Sequence, residues 1–358
     1  MKIGLVIYGN LDTLSGGYLY DQKLVDYLRS QGDTVEIISL PPASYGQCLS
    51  HNFSRQFYKK LRHGEFDVLL QDELNHPSLF IINKLLSRKV HYPIIGIIHH
   101  LRASESWTPV ESFFYRKIER RFLNTLDGFI FNSHTTSTTI ESLVGSGKPK
   151  VIAYPGGDRL EAHVNEKHIK EKGLCKGPLR LLFVGNLIPR KGLHTLVDAL
   201  ANLPRQDWVM DVVGRRDADP PYTNRIKQKV AQLGITNNLT WSANLSNEQL
   251  KARYQSSHLL VVPSQYEGFG IVYLEAKGFG LPAIACDTGA VHEIINHGED
   301  GFLIPPDDSN ALTQALKTAI DNRELLLQMS LAGLKRFKGF PSWSQSAART
   351  RTFLEALL

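Results

Sequence analysis

At 358 residues the chain is long enough for about two domains of roughly 150 residues each, and its 42% apolar content belongs to a protein with real cores rather than to a disordered one. The net charge is +6, and residues 1–150 hold 17 Lys and Arg against 14 Asp and Glu, an even spread that speaks against a nucleic-acid-binding arm. Cys48, Cys175 and Cys286 stand at no metal-ligand or redox spacing, so they read as reduced thiols of a cytoplasmic protein and exclude a disulfide scaffold.

The opening "MKIGLVIYGN" has one lysine and a short apolar run without a small-residue cleavage site, so it reads as a buried first strand rather than a signal segment. Further strands are expected at "TVEIISL", "DVLLQD", "PIIGIIHH" and "GFIFNS", separated by amphipathic stretches such as "GYLYDQKLVDYLRSQG". Continuous apolar strands alternating with helices imply a parallel sheet covered on both faces. The polar run from about Gly156 to Pro178 has no strand pattern and reads as the linker. The pattern then restarts with "LRLLFVGN", "WVMDVVG", "LTWSAN", "HLLVVPS", "PAIACD" and "GFLIPP". The expected architecture is α/β: two doubly wound parallel-sheet, Rossmann-like domains facing a central cleft. Residues 1–160 form the first domain and 161–340 the second, with a final amphipathic helix over 341–358. Ligands of open α/β sheets bind at the carboxyl edges of the strands. No apolar run approaches the ~18 residues needed to span a bilayer, so the chain reads as soluble or membrane-peripheral.

Four stretches at such edges carry polar chemistry. Ser15-Gly16-Gly17 lies between the first strand and the first helix, where a backbone loop can meet a ligand or simply turn. It lacks the glycine fingerprint of dinucleotide binding. His99 and His100 end a buried strand; neighbouring side chains of a strand point to opposite faces, so one of the two can reach a reacting group. Arg190-Lys191-Gly192 opens a helix after the strand ending at Gly185, and two cations beside a helix N-terminus suit a diphosphate. The spacing is not that of a Walker loop. Glu267 and Glu275 flank and enter an apolar helix that follows Gly268 and Gly270. A carboxylate inside such a helix needs a fixed partner, either the paired hydroxyls of a sugar or a structural cation. Asp217-x-Asp219 follows a strand and is read as a loop rather than a metal-binding pair.

Taken together, these residues resemble a family 4 retaining glycosyltransferase of the GT-B fold. The likeness rests on Glu267 and Glu275 within "EGFGIVYLEAKGFGLPAIACDTGAVHEII", on "GNLIPRKG", on "GFLIPPDD", and on the rhythm of "FNSHTTSTTI" and "AYPGGD". The resemblance implies transfer of a hexose from a nucleoside diphosphate sugar to an acceptor hydroxyl. It implies that Glu275 holds the donor ribose, and that Glu267 holds the transferred sugar, helped by the backbone of Gly268, Phe269 and Gly270. Arg190 and Lys191 would bind the diphosphate, with Gly185, Gly214 and Ile271 completing the donor site. Gly16 and Gly17 would approach the phosphates or acceptor. His99 matches the family histidine better than His100. A UDP-sugar is the first expectation for the donor and GDP-mannose the second, with no cofactor and no metal. The acceptor, a glycolipid, polysaccharide precursor or small metabolite, falls to the first domain. A GT-B sugar epimerase or phosphorylase, or a non-catalytic nucleotide-sugar-binding protein, shares the same features.

Two basic amphipathic stretches invite peripheral contact with an anionic membrane. Phe53, Phe57 and Leu61 share one helical face, and Phe114, Ile118 and Phe122 another, with Arg55, Lys59, Arg62, Arg116, Lys117, Arg120 and Arg121 around them. Ordinary packing on a sheet with solvated charges explains the same pattern.

Overall fold

A computed structural model describes residues 1–358 except Leu14, Ser106, His163, Leu174, Cys175 and Asn244. The thiol read at Cys175 therefore lies outside the described residues; Cys48 and Cys286 are free and buried. The chain divides into two compact units, residues 1–155 with 341–358, and residues 156–340.

The first unit is built on β1 (Lys2–Tyr8), β2 (Thr34–Leu40), β3 (Val68–Asp72), β4 (Ile94–Ile98), β5 (Gly128–Phe131) and β6 (Lys150–Ile152), all parallel, in the order β2-β1-β3-β4-β5-β6. Every residue of β3, β4 and β5 is buried, as expected for strands covered by helices on both faces. β6 escapes sequence reading because it is a three-residue edge strand that begins on an exposed lysine. From β1 the chain steps to one side for β2 and to the other for β3. The sheet's switch point therefore lies between β1 and β3, where helices on opposite faces leave a gap at the carboxyl edge.

The helix Trp343–Glu355 packs on the helix Gly16–Ser30, with Trp343 edge-on to Tyr20 at 5.9 Å between ring centroids. Arg351 fastens it by donating through Nε to Asp33 Oδ2 at 2.8 Å. The amphipathic faces prove partly internal. Phe57, Leu61, Ile118 and Phe122 are buried in the core, whereas Phe53, Val110, Phe113 and Phe114 remain exposed.

The second unit carries β7 (Leu179–Val184), β8 (Trp208–Val213), β9 (Leu239–Ser242), β10 (Leu259–Val262), β11 (Ala283–Cys286) and β12 (Gly301–Ile304). They are parallel, in the order β12-β11-β10-β7-β8-β9, so the switch point lies between β7 and β10. The run read as a linker is more ordered than expected. Its residues 166–173 form a helix, and Ile169 on that helix is buried beneath the chain at Gly280. The single apolar residue among many charges hid this in the sequence.

Lys277 is wholly buried in the helix Ile271–Gly278 and pairs with Asp300 Oδ2 at 2.8 Å. Burial pulls its ammonium down to about 8, against the attraction of Asp300. Asp300 also accepts the Asn296 N–H at 2.8 Å and stands 3.7 Å from Arg336 Nε. Removing the lysine strands a buried carboxylate, so Lys277→Ala is expected to lower unfolding free energy by about 3–5 kcal/mol. Urea denaturation followed by circular dichroism measures it; a loss within ~0.5 kcal/mol of zero, the usual size for surface changes, would show that the pair is not buried as described.

Candidate active site

The predicted residues of the second unit converge on its switch point. β7 ends in the loop that carries Arg190 and Lys191, and β10 ends in the loop that carries Glu267. The two loops touch through backbone. A Cβ on Gly192 would stand 2.0 Å from the Pro263 carbonyl oxygen, and Gly192 has φ +68°, so both space and conformation require glycine there. The Gln265 N–H donates to the Arg190 carbonyl at 2.8 Å. This seam delivers Lys191 Nζ to Glu267 Oε1, where Ser264 Oγ also donates at 2.7 Å. Arg190 Nη1 donates to the Tyr266 carbonyl at 2.7 Å and lies 3.8 Å from Glu267 Oε2.

Burial pushes the Glu267 carboxyl up, but Lys191 and Arg190 outweigh it and hold the group below the usual carboxylate range. Burial, aided by the Arg190 charge, pulls the Lys191 ammonium below its usual range against the attraction of Glu267. Glu267 is thus an anion at neutral pH, and its cations are turned toward it.

The other glycines serve close approach. A Cβ on Gly214 would meet the Gly185 carbonyl oxygen at 1.8 Å, which ties the ends of β7 and β8 together. Gly270, with φ +97°, precedes the helix that starts at Ile271 and offers no side chain to cap it. Phe269 is buried and meets Phe340 edge-on at 6.4 Å.

Glu275, on that helix and only 1% exposed, is ion-paired as well. Arg159 Nε donates to its Oε1 at 2.7 Å and the Tyr254 hydroxyl to its Oε2 at 3.1 Å. Tyr254 in turn stacks on Phe279, with centroids 5.2 Å apart and planes 6° from parallel. Arg159 Nη1 reaches Asn247 Oδ1 at 3.3 Å. Each carboxylate oxygen has two lone pairs, so one remains on each for a further donor. Sequence reasoning missed Arg159, Tyr254 and Ser264. Arg159 stands in the run taken for a linker, and the pairing spans 116 positions that no local pattern connects.

In the first unit, the sequence-predicted residues separate. Gly17 lies against His99: a Cβ there would stand 3.1 Å from the ring Cδ2. Gly16 is exposed at the first turn of its helix, which Ser15 caps by accepting from the Tyr18 N–H at 3.3 Å. His99 is 7% exposed, with Nε2 3.3 Å from Asp21 Oδ1, whereas His100 is half-buried with Nε2 3.0 Å from Glu105 Oε1. Both histidines lie just beyond Ile98, the last residue of β4, rather than in the strand as expected, and the two rings take different partners. Asp21, Asp72 and Glu73, all buried around His99, went unnoticed in the sequence. Asp217 forks onto Arg215 at 3.2 and 3.0 Å, and Asp219 caps the helix Pro220–Gln232, so both belong to the loop and its helix start.

Residues 164–336 match the family model described as glycosyl transferases group 1. The chain is 27% identical over 237 residues to a D-inositol 3-phosphate glycosyltransferase of Nocardia farcinica, covering 64% of this chain and 52% of that protein. It therefore spans about half the length of that relative. It is 24% identical over 383 residues to a phosphatidyl-myo-inositol mannosyltransferase of Mycobacterium leprae, covering 100% of this chain and 97% of the other. Among solved structures, the HepE protein of Anabaena in complex with UDP-glucose shares the fold with a TM-score of 0.77 at 19% identity, covering 100% of this chain and 99% of that one. The two six-stranded parallel sheets agree with a GT-B architecture. Residues 164–336, most of the second unit, therefore resemble the glycosyl transferases group 1 family.

Proposed function

We propose that this protein is a retaining hexosyltransferase that takes its sugar from a nucleoside diphosphate sugar. The observation that carries the reading is the pair Arg190–Lys191, set against Glu267 at the β7/β10 switch point. A departing diphosphate gains negative charge, and preorganised cations stabilise it without needing to reorganise. Glu267 then faces the hydroxyls of the transferred sugar, and Glu275 uses its remaining lone pairs on the ribose diol. In this reading the acceptor oxygen attacks the anomeric carbon from the face that the diphosphate leaves. The anomeric centre becomes oxocarbenium-like, and the departing phosphate oxygen takes the acceptor's proton. The charge is met by side chains, so the reaction is metal-independent. A UDP-sugar is the leading donor and GDP-mannose the second. HepE, the structural relative, is known with UDP-glucose. The acceptor is a sugar, lipid or small metabolite bearing a free hydroxyl, and two relatives are named for inositol-containing acceptors.

The reading extends to peripheral membrane contact. Val110, Phe113 and Phe114 expose apolar surface on the helix that also bears Arg116, Lys117, Arg120 and Arg121. Apolar and basic groups together suit an anionic lipid surface. Among the described residues no helix is long and apolar enough to cross a membrane.

UDP and GDP, each with and without its sugar, are expected to raise the melting temperature of the folded chain. Glu275→Ala should weaken nucleoside diphosphate binding by roughly 10–100-fold, the worth of one or two hydrogen bonds to a charged group. Lys191→Ala should reduce turnover by about 100–1000-fold, the usual effect of removing one oxyanion-stabilising donor. Wild-type affinity and rate in both variants would refute the assignment. Sugar transfer to an added acceptor separates this reaction from epimerisation, and dependence on inorganic phosphate would identify a phosphorylase. Binding with neither transfer nor hydrolysis would identify a sensor.

Turnover is expected to be undiminished in EDTA; complete loss restored by magnesium or manganese would overturn metal independence. Flotation with anionic liposomes is expected at low salt and to weaken at high salt; no flotation at either would remove the membrane contact.

A further inference from the structure

His99 sits in a buried acidic setting. Asp21 and Asp72 are at most 1% exposed and Glu73 is 4% exposed, and among the described residues no Lys or Arg forms an ion pair with any of them. Asp21, Asp72 and the His99 ring each present one atom within 4.8 Å of the others. Most of their polar atoms have assigned partners. Asp72 Oδ1 accepts the Leu74 N–H at 2.7 Å, and Glu73 Oε2 accepts the His99 N–H at 2.9 Å. Asn132 Nδ2 donates to the His99 carbonyl at 2.9 Å, so the histidine backbone is held from both sides. Asp21 Oδ1 faces His99 Nε2 at 3.3 Å. Three buried carboxyl oxygens lack a hydrogen-bond partner: Glu73 Oε1, 3.8 Å from His100 Nδ1, and two more, Asp21 Oδ2 and Asp72 Oδ2. Two carboxylates cannot both be ionised side by side in a buried site without a cation, and one proton between them resolves the conflict.

We propose that Asp21, sharing a proton with Asp72 through these two oxygens, is a positioning residue that fixes His99 in the Nε2–H tautomer and leaves Nδ1 as a hydrogen-bond acceptor for a substrate hydroxyl. The last clause rests on the transferase reading; the tautomer does not.

The bonding follows from the donor count. With the shared proton on the Oδ2 side, Asp21 Oδ1 can only accept, so His99 Nε2 must donate. A neutral ring carries one proton, so Nδ1 is bare. Burial pushes both Asp21 and Asp72 up, the latter also through the neighbouring Asp21 charge. Burial likewise holds His99 below its usual range, so the ring is neutral at neutral pH. The other ionisable neighbours do not compete. Burial pushes Glu73 well up and Tyr18 and Tyr20 up; the two hydroxyls donate to the Tyr8 carbonyl at 2.7 Å and the Ala153 carbonyl at 3.0 Å. His100 is engaged with Glu105, and Glu119 accepts the Arg102 N–H at 2.6 Å. Tyr20 closes the remaining side of the His99 ring, edge-on at 5.3 Å, and Gly17 provides the room in which the ring lies.

The test is nitrogen NMR of the full chain with labelled histidine, the His99 signals being those lost in His99→Gln. At neutral pH the expected pattern is a single neutral tautomer with Nε2 protonated and Nδ1 bare. Asp21→Ala should release the ring, shifting both nitrogen signals toward the averaged positions of a mixed tautomer. Asp21→Asn can donate its amide to Asp72 and still accept from His99, so it should keep the wild-type tautomer. The wild-type signals should move as the shared proton leaves on raising the pH above neutral, and Asp21→Asn should abolish that movement. Should Asp21→Ala fail to fold, the Asp21→Asn titration decides alone. A wild-type ring protonated on Nδ1, unchanged signals in folded Asp21→Ala, or a persisting titration in Asp21→Asn would overturn the proposal. So would selective, EDTA-reversible broadening of the His99 signals by manganese, which would make the three groups a cation site. Every outcome is readable whether or not sugar transfer is found.

Discussion

The second unit depends on a contact between two backbone loops. Gly192 lies against the Pro263 carbonyl, so the end of β7 and the end of β10 are locked at the one place where neighbouring strands send their chains to opposite faces of the sheet. The Lys191–Glu267 pair follows from that seam rather than causing it. Without Lys191 and Arg190, the buried Glu267 carboxylate would be an uncompensated charge. The sheet topology sets where the site is, and the glycines set how close its charges come.

The two acidic residues of the "EGFGIVYLEAKG" stretch turn out to be parallel solutions to one problem. Glu267 is neutralised by Lys191 and Arg190, and Glu275 by Arg159 with help from Tyr254. A buried carboxylate needs such partners before any ligand arrives. In the proposed function the two pairs would answer differently: Arg159 and Tyr254 leave lone pairs on Glu275 for a diol, whereas Lys191 would share its charge between Glu267 and a phosphate.

Much of this was legible in the sequence, and the failures have physical reasons. Eleven of the strands lie within the apolar runs read as strands, because a strand covered on both faces must be continuously apolar. The twelfth, Lys150–Ile152, is an edge and lacks that signature. The loop glycines and the cation pair could be read because they are local. Arg159 and the Asp21–Asp72 pair could not, since each depends on segments far apart in the chain that only the fold brings together. The amphipathic helices misled in part: Phe57 and Phe122 serve the core, and only Phe53, Val110, Phe113 and Phe114 remain outside.

The charge chemistry of the two units is opposite, and the difference carries meaning. The second gathers Arg190 and Lys191 at its switch point, both facing the Glu267 carboxylate. The first gathers Asp21, Asp72 and Glu73 at the equivalent edge of its sheet, with no Lys or Arg ion-paired to them among the described residues, and burial pushes all three carboxyls up toward neutrality. An anionic ligand would be repelled from that edge if the acids were ionised, and would find no cation there if they were not. What a carboxyl pair sharing one proton and a neutral imidazole can offer is hydrogen bonding of defined direction, which suits an uncharged hydroxyl. In the proposed function, the electrostatics of the second unit would suit a charged leaving group and those of the first a neutral nucleophile.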